Sequence, residues 1–255
     1  MKGARHAHAI AAGSLSGLLF LIAWEVLGRW LEVKPVVLPL PTQILAEIID
    51  AHDWYLDHSL FTLMTTLAGF ALSVVLGVLI AAILVSSRLF ERYLYPLIVA
   101  LNNVPKVAIA PLFVIWMGTG TEPKIAIAFL IAVFAIIVDT VHGLRSVPPD
   151  VADLAHVLRG SWWQVFTKVN LPCALPSILS GMKIAISLAL VGAIVGEFVS
   201  SQRGLGYVIM SAQGMFDTVR VFAALFILSA LGLLLYAAVV WMEARFTAWR
   251  PAKEE

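Results

Sequence analysis

Two stretches of this chain, 60–87 and 221–242, are long, apolar and free of any charged residue. About 20 such residues cross the hydrocarbon core of a bilayer as a helix, and a backbone in that core must satisfy its own hydrogen bonds. The chain therefore has to fold as a helical membrane protein. Four further stretches come close to the same standard. The run 11–27 is followed by Gly28-Arg29-Trp30, and 93–118 is interrupted by Lys106. The run 125–138 extends to 143 where Asp139 and His142 reach a surface, and 178–199 carries Lys183 near its start and Glu197 near its end. The expected fold is all-α and polytopic, one domain over 1–255. Its six spanning helices are placed at 11–31, 60–87, 93–118, 122–143, 178–199 and 221–242. Only 13% of the 255 residues are charged, against about a quarter in a soluble domain, so no separate soluble domain is expected.

Lys2 and Arg5 precede an apolar run, as in a secretory signal, but no small-x-small cleavage site with a polar continuation follows. A retained first helix is expected. Lys and Arg beside the spans set orientation. Six helices place both termini on one side, together with eleven basic residues: Lys2, Arg5, Arg88, Arg92, Arg145, Arg159, Lys168, Lys183, Arg245, Arg250 and Lys253. The other side holds five, Arg29, Lys34, Lys124, Arg203 and Arg220, and an acidic cluster of Glu47, Asp50, Asp53 and Asp57. Both termini (1–10 and 243–255) and the polar segment 144–177 are thus expected in the cytoplasm. A net charge of +1 carries no sign of a nucleic-acid partner, and the single Cys173 excludes an intramolecular disulfide and a multi-Cys metal site.

On the external side, Pro35, Pro39 and Pro41 break segment 32–59 early, and Thr42 is a candidate cap for a short helix over 43–49. Ile44, Leu45 and Ile48 share one face of it, which suits a helix lying along the membrane surface. Thr65, Gly69, Ser73, Gly77 and Ala81 stand four apart on the second span, and Gly181, Ala185, Ala189 and Ala193 repeat the device on the fifth. Such ridges let helix backbones approach closely in lipid. They serve either ordinary packing within the chain or a subunit interface or sliding helix.

The third span carries Asn102-Asn103-Val104-Pro105-Lys106. Pro105 removes a backbone donor and predicts a kink, with Pro111 repeating the effect. Lys106 lies roughly 20 Å along that helix from Tyr93 at about 1.5 Å per residue, near mid-membrane. A charge there is expensive and marks a candidate pathway residue; the alternative is a structural pair with Glu197 or Asp139. Glu197 is the other costly residue, either a pathway or gate carboxylate or one that reaches the headgroups. Asn102, Asn103, Pro105, Lys106 and Glu197 are therefore the candidate translocation residues. Gln202-Arg-Gly-Leu-Gly-Tyr is not a phosphate loop, since the third glycine position is Ile209 and no strand precedes it.

Segment 144–177 is a polar island between apolar runs. Val151, Leu154, Ala155 and Leu158, then Trp162, Val165, Phe166 and Val169, form helical apolar stripes. Pro148 and Pro149 suit a first turn, with Ser146 or Asp150 near the cap. Gly160-Ser161 predicts a break into two short helices, and Leu171-Pro172 and Pro176 predict the end of the second. Such helices lie on lipid, cover the spanning helices or insert into a groove on a partner; periodicity does not choose among these.

From Asp153-Leu-Ala-His-Val-Leu-Arg-Gly-Ser-Trp-Trp-Gln to Leu171-Pro-Cys-Ala-Leu-Pro, the island resembles the EAA motif of ABC importer permeases. Leu154 and Arg159 stand where that family prefers small residues. Val104-Pro-Lys-Val-Ala-Ile-Ala-Pro-Leu-Phe-Val-Ile-Trp-Met-Gly-Thr-Gly, Gly143-Leu-Arg-Ser-Val and Gly204-Leu-Gly-Tyr are similar to the branch for nitrate, sulfonate and taurine-like solutes. The resemblance implies that Asp153, Leu154, Ala155, Arg159, Gly160, Ser161, Leu171 and Pro172 form the coupling region that docks on a separate ATPase. It also implies a second copy of the permease, two ATP-binding subunits holding ATP and Mg, an extracytoplasmic solute-binding protein, and an inner-membrane location. This chain carries no GxxxxGK[ST], HExxH or GxSxG motif, and it is expected to be non-catalytic. The rival is a self-sufficient secondary transporter or channel, which should show mid-membrane coupling acids and internal repeats.

Overall fold

The computed structural model describes residues 2–148, 150–151 and 161–247. Helix α1 covers Lys2–Trp30, α2 Pro41–Asp50, α3 His52–Ser86, α4 Arg88–Asn102, α5 Lys106–Met117 and α6 Glu122–Arg145. Then come α7, Trp163–Ser200, with a π turn at Phe166–Asn170, α8, Leu205–Gly214, and α9, Thr218–Phe246. No strand occurs among the described residues. Of these helices, α3, α6, α7 and α9 are each long and apolar enough to cross a membrane, and the bent pair α4–α5 supplies up to one more crossing.

Helix α6 is the centre of the bundle, with Ala128, Ala132, Ile136 and Val141 buried between α3 and α7. The glycine ridges explain the closeness. A Cβ on Gly69 of α3 would lie 2.5 Å from the Ala128 Cβ, and one on Gly192 of α7 would lie 2.6 Å from the Ala128 Cα. Ala128 is thus clamped from both sides. Gly77 sits against Ile136, Gly181 against Asp139 and Gly196 against Lys124 in the same way. Lipid offers little hydrophobic drive between helices, so close van der Waals packing of small residues holds them. Of the two readings of these ridges, ordinary packing within the chain is the one these glycine contacts fit.

Three local expectations need correction. Thr42 does not cap helix α2, which starts at Pro41 with Leu40 in the cap position. Ile44 is buried in a cluster with Tyr55, Leu205, Val208, Ala223 and Ala224, while Leu45 is 58% exposed. Its start is held by Gln43, whose side-chain oxygen accepts from the Leu40 N–H at 3.0 Å. Thr42 donates instead to the Glu25 carboxylate, through its amide at 3.1 Å and its hydroxyl at 2.9 Å.

The third span is broken rather than kinked. Helices α4 and α5 meet at 92°. Pro96 and Pro111 lie inside these helices without ending them, whereas at 103–105 the missing Pro105 donor coincides with two residues that turn. Asn103 N–H and Val104 N–H bond carbonyls three residues back, which tightens the end of α4.

Leu171-Pro172 and Pro176 do not end a helix before the fifth span. That helix runs unbroken from Trp163 to Ser200. The Leu171 N–H donates to the Phe166 carbonyl, five residues back. This π turn opens the ladder by one residue just where Pro172 lacks a donor, so the proline ring is accommodated. The second half of the polar island is therefore a rigid extension of α7.

Candidate functional site

The break between α4 and α5 opens on a cavity of about 410 Å³, lined by Asn102, Lys106, Phe134, Asp139, Ile184 and Leu188 among others. It lies between α5, α6 and α7. Non-helical backbone at membrane depth is tolerated only against protein or a water-filled cavity; the unwound 103–105 segment is exposed and is flanked by the cavity-lining Asn102 and Lys106. Lys106 turns back on the end of α4. Its Nζ donates to the Asn102 carbonyl at 2.7 Å and to the Asn102 Oδ1 at 2.8 Å. It also stands 4.7 Å from the centroid of the Phe134 ring, an attractive position for a cation. A cation at a helix C-terminus is itself favourable, so Lys106 caps α4 and lines the cavity at once. It pairs with neither Glu197 nor Asp139. Asn103 donates to the Val99 carbonyl at 3.1 Å, and Pro105 occupies the cap of α5.

Glu197 lies elsewhere, roughly 13 Å along α7 from Leu188 at about 1.5 Å per residue. It does not reach the headgroups as a surface carboxylate, being only 1% exposed. Thr62 of α3 donates to its Oε1 at 2.9 Å, and the Gly206 N–H donates to its Oε2 at 2.7 Å. The Leu205 N–H donates to the Thr62 hydroxyl at 2.9 Å, and the Gly204 N–H donates to His58 Nδ1 at 3.0 Å. The first turn of α8 is therefore capped from two other helices. Anionic or polar acceptors suit that position because the first N–H groups of a helix have no partner in their own helix. Gly204 has φ +102° and lies against the Glu197 carboxyl, so neither the backbone nor the space admits a side chain.

Lys124, 2% exposed, completes this end of the bundle. Its three donors go to the Thr119 carbonyl at 3.1 Å, Gly120 at 2.6 Å and Ser200 at 3.0 Å. A lysine has three donors, so this charge is fully used as a cap on α7. Thr62, His58 and Lys124 escape sequence reading. A lone Thr or His near a helix start carries no signal, and the partners that join them to other helices, Glu197 for Thr62, Gly204 for His58 and Ser200 for Lys124, are 135, 146 and 76 residues away.

Of the coupling residues, Asp153, Leu154, Ala155, Arg159 and Gly160 lie outside the described residues. Ser161 precedes α7, where its hydroxyl accepts from the Gln164 N–H at 3.3 Å while the Gln164 Oε1 accepts from the Ser161 N–H at 3.0 Å, a reciprocal cap. Leu171 and Pro172 sit at the exit of the π turn. At the same end of the bundle, Arg145 of α6 pairs with Glu91 of α4 and stands 5.0 Å from the Tyr95 ring centroid.

Residues 73–248 match the family described as the binding-protein-dependent transport system inner membrane component. The chain belongs to that family. It is 37% identical over 234 residues to the formylaminopyrimidine transport permease protein ThiX of Halalkalibacterium halodurans, covering 91% of this chain and 93% of that one. It is 32% identical over 256 residues to the putative aliphatic sulfonates transport permease protein SsuC of Bacillus subtilis, covering 99% and 92%. Its fold is that of a solved inward-facing MetNI methionine ABC transporter chain, with a TM-score of 0.69 at 18% identity, over 78% of this chain and 98% of that one. This protein is thus a multi-pass ABC importer permease subunit, a transport component rather than an enzyme. The family match does not support the rival of a self-sufficient secondary transporter or channel.

Proposed function

We propose that two copies of this permease enclose a translocation pathway whose wall in each copy is the cavity at the α4–α5 break. Each copy crosses the inner membrane six times with both termini in the cytoplasm, as the eleven-to-five bias of basic residues favours. Segment 144–177 docks on one of two ATP-binding subunits, which hold the ATP and Mg. A solute-binding protein delivers the solute from the opposite side. The solute is a small anion-bearing compound of the sulfonate, taurine or nitrate kind. That class is supported by the ammonium group of Lys106 in the cavity and by the aliphatic-sulfonate name of the Bacillus subtilis relative.

The observation that carries the reading is the coincidence of unwound backbone, cavity and Lys106 at one place in the bundle. In proteoliposomes holding the full importer, Lys106→Ala should lower solute uptake at least about tenfold, the loss of one charge-assisted hydrogen bond, while the permease still purifies with its ATPase subunits. Undiminished uptake would remove Lys106 from the pathway.

A further inference from the structure

The cavity at the α4–α5 break is lined by a cation and a carboxylate that do not meet. Lys106 is turned back on Asn102. Asp139 makes no ion pair or hydrogen bond to any described residue; the titratable group that acts on it is His142, one turn further along α6 and exposed. Glu197 and Glu243 behave differently, since the first accepts from Thr62 and Gly206 and the second pairs with Lys183 at 2.7 Å. An unpaired carboxylate inside a spanning helix is costly, and such residues face a cavity and serve a pathway. Room for it is built in. Gly181 of α7 lies directly under Asp139, where a Cβ would come within 2.8 Å of the Asp139 Cβ and 3.0 Å of its Oδ2.

We infer that this cavity is a bipolar solute subsite. Asp139 receives a positively charged or N–H-donating end of the solute, and Lys106 receives its acidic end. Asp139 lies beyond Phe134, where Lys106 is seated, by an axial offset of roughly 7.5 Å at about 1.5 Å per residue. That offset suits a short solute with a charge at each end. A purely anionic solute gains Lys106 but faces an unpaired carboxylate in the same space, and such a repulsive element discriminates between partners. The inference rests on the cavity being part of the pathway, and narrows the solute class to amino-bearing acids over simple anions.

The test uses thiol reagents of defined charge and two probe solutes, taurine and ethanesulfonate. In the complete importer with Cys173→Ser, Ile184→Cys places a thiol on the cavity wall at a position 54% exposed, with Leu188→Cys as a second position. Reaction rates are measured with cationic and anionic methanethiosulfonates of matched size. Asp139→Asn should speed the anionic reagent relative to the cationic one by about tenfold, and Lys106→Gln should shift the ratio the other way. Taurine should slow the labelling more than ethanesulfonate does, and that difference should vanish in Asp139→Asn. If neither thiol reacts, the cavity is not a water-filled pathway and the proposed function fails at this site. If they react but Asp139→Asn leaves the ratio unchanged, or if taurine and ethanesulfonate protect alike, the bipolar inference alone is overturned.

Discussion

Glu197 shows how one buried side chain determines what its neighbours must be. Its carboxylate accepts from the Thr62 hydroxyl and the Gly206 N–H, and Thr62 accepts in turn from the Leu205 N–H. Removing the carboxylate strands two donors in a dry interior, each costing about 1–3 kcal/mol. Glu197→Ala should therefore destabilise the purified permease by about 2–5 kcal/mol, while Glu197→Gln, which keeps an acceptor, should cost much less. Thermal unfolding in detergent checks the order, and equal losses for the two variants would show that hydrogen bonding is not what the site provides. The costliness of Glu197 in an apolar run was legible in the sequence. Its role was not, because Thr62 stands 135 residues away and nothing local connects the two. The same holds for Lys124, whose partner carbonyl on Ser200 is 76 residues distant.

At the scale of elements, proline positions were readable and so was the bend at Pro105, but the unbroken helices around Pro111 and Pro172 were not. Pro96 and Pro111 lie within α4 and α5, Pro172 sits at a π turn that absorbs its missing donor, and only Pro105 accompanies a break. Each proline removes one hydrogen bond. Whether the chain bends depends on what the surrounding carbonyls find instead. At the break, Lys106 supplies donors to the end of α4. Helices α7 and α9 are tied by Lys183 and Glu243, whose side chains are only about a quarter exposed, at 23% and 27%. This pair lies between the exposed and buried cases. Lys183→Ala should cost about 2 kcal/mol, and exchanging the two residues, Lys183→Glu with Glu243→Lys, should restore most of it. A double-mutant cycle of unfolding temperatures measures this, and additive effects of the single variants would mean the helices are not coupled through the pair.

For the whole molecule, the contact to test is the proposed one with an ATP-binding subunit. Ser161 and the π turn lead directly into α7, which packs along α6, so an ATP-binding subunit docked at the proposed coupling segment would act on that helix. If that is the lever, Asp153→Ala combined with Gly160→Trp should abolish co-purification with the ATP-binding subunits or uncouple uptake from ATP hydrolysis, with the permease itself still folded. Normal co-purification and uptake would refute the coupling role. By itself, the sequence determined that the chain is a bundle of membrane helices, because an apolar backbone must satisfy its own hydrogen bonds wherever water is absent. It also determined where small residues let helices meet and which deep charges demand an explanation. Tertiary structure alone decided which charges meet. Glu197 finds the start of α8, Lys124 the end of α7, and Lys106 its own Asn102, leaving Asp139 facing the cavity. Electrostatic partners are selected by distance in space and by the cost of burying an unpaired charge. Neither quantity is written in the order of residues along the chain.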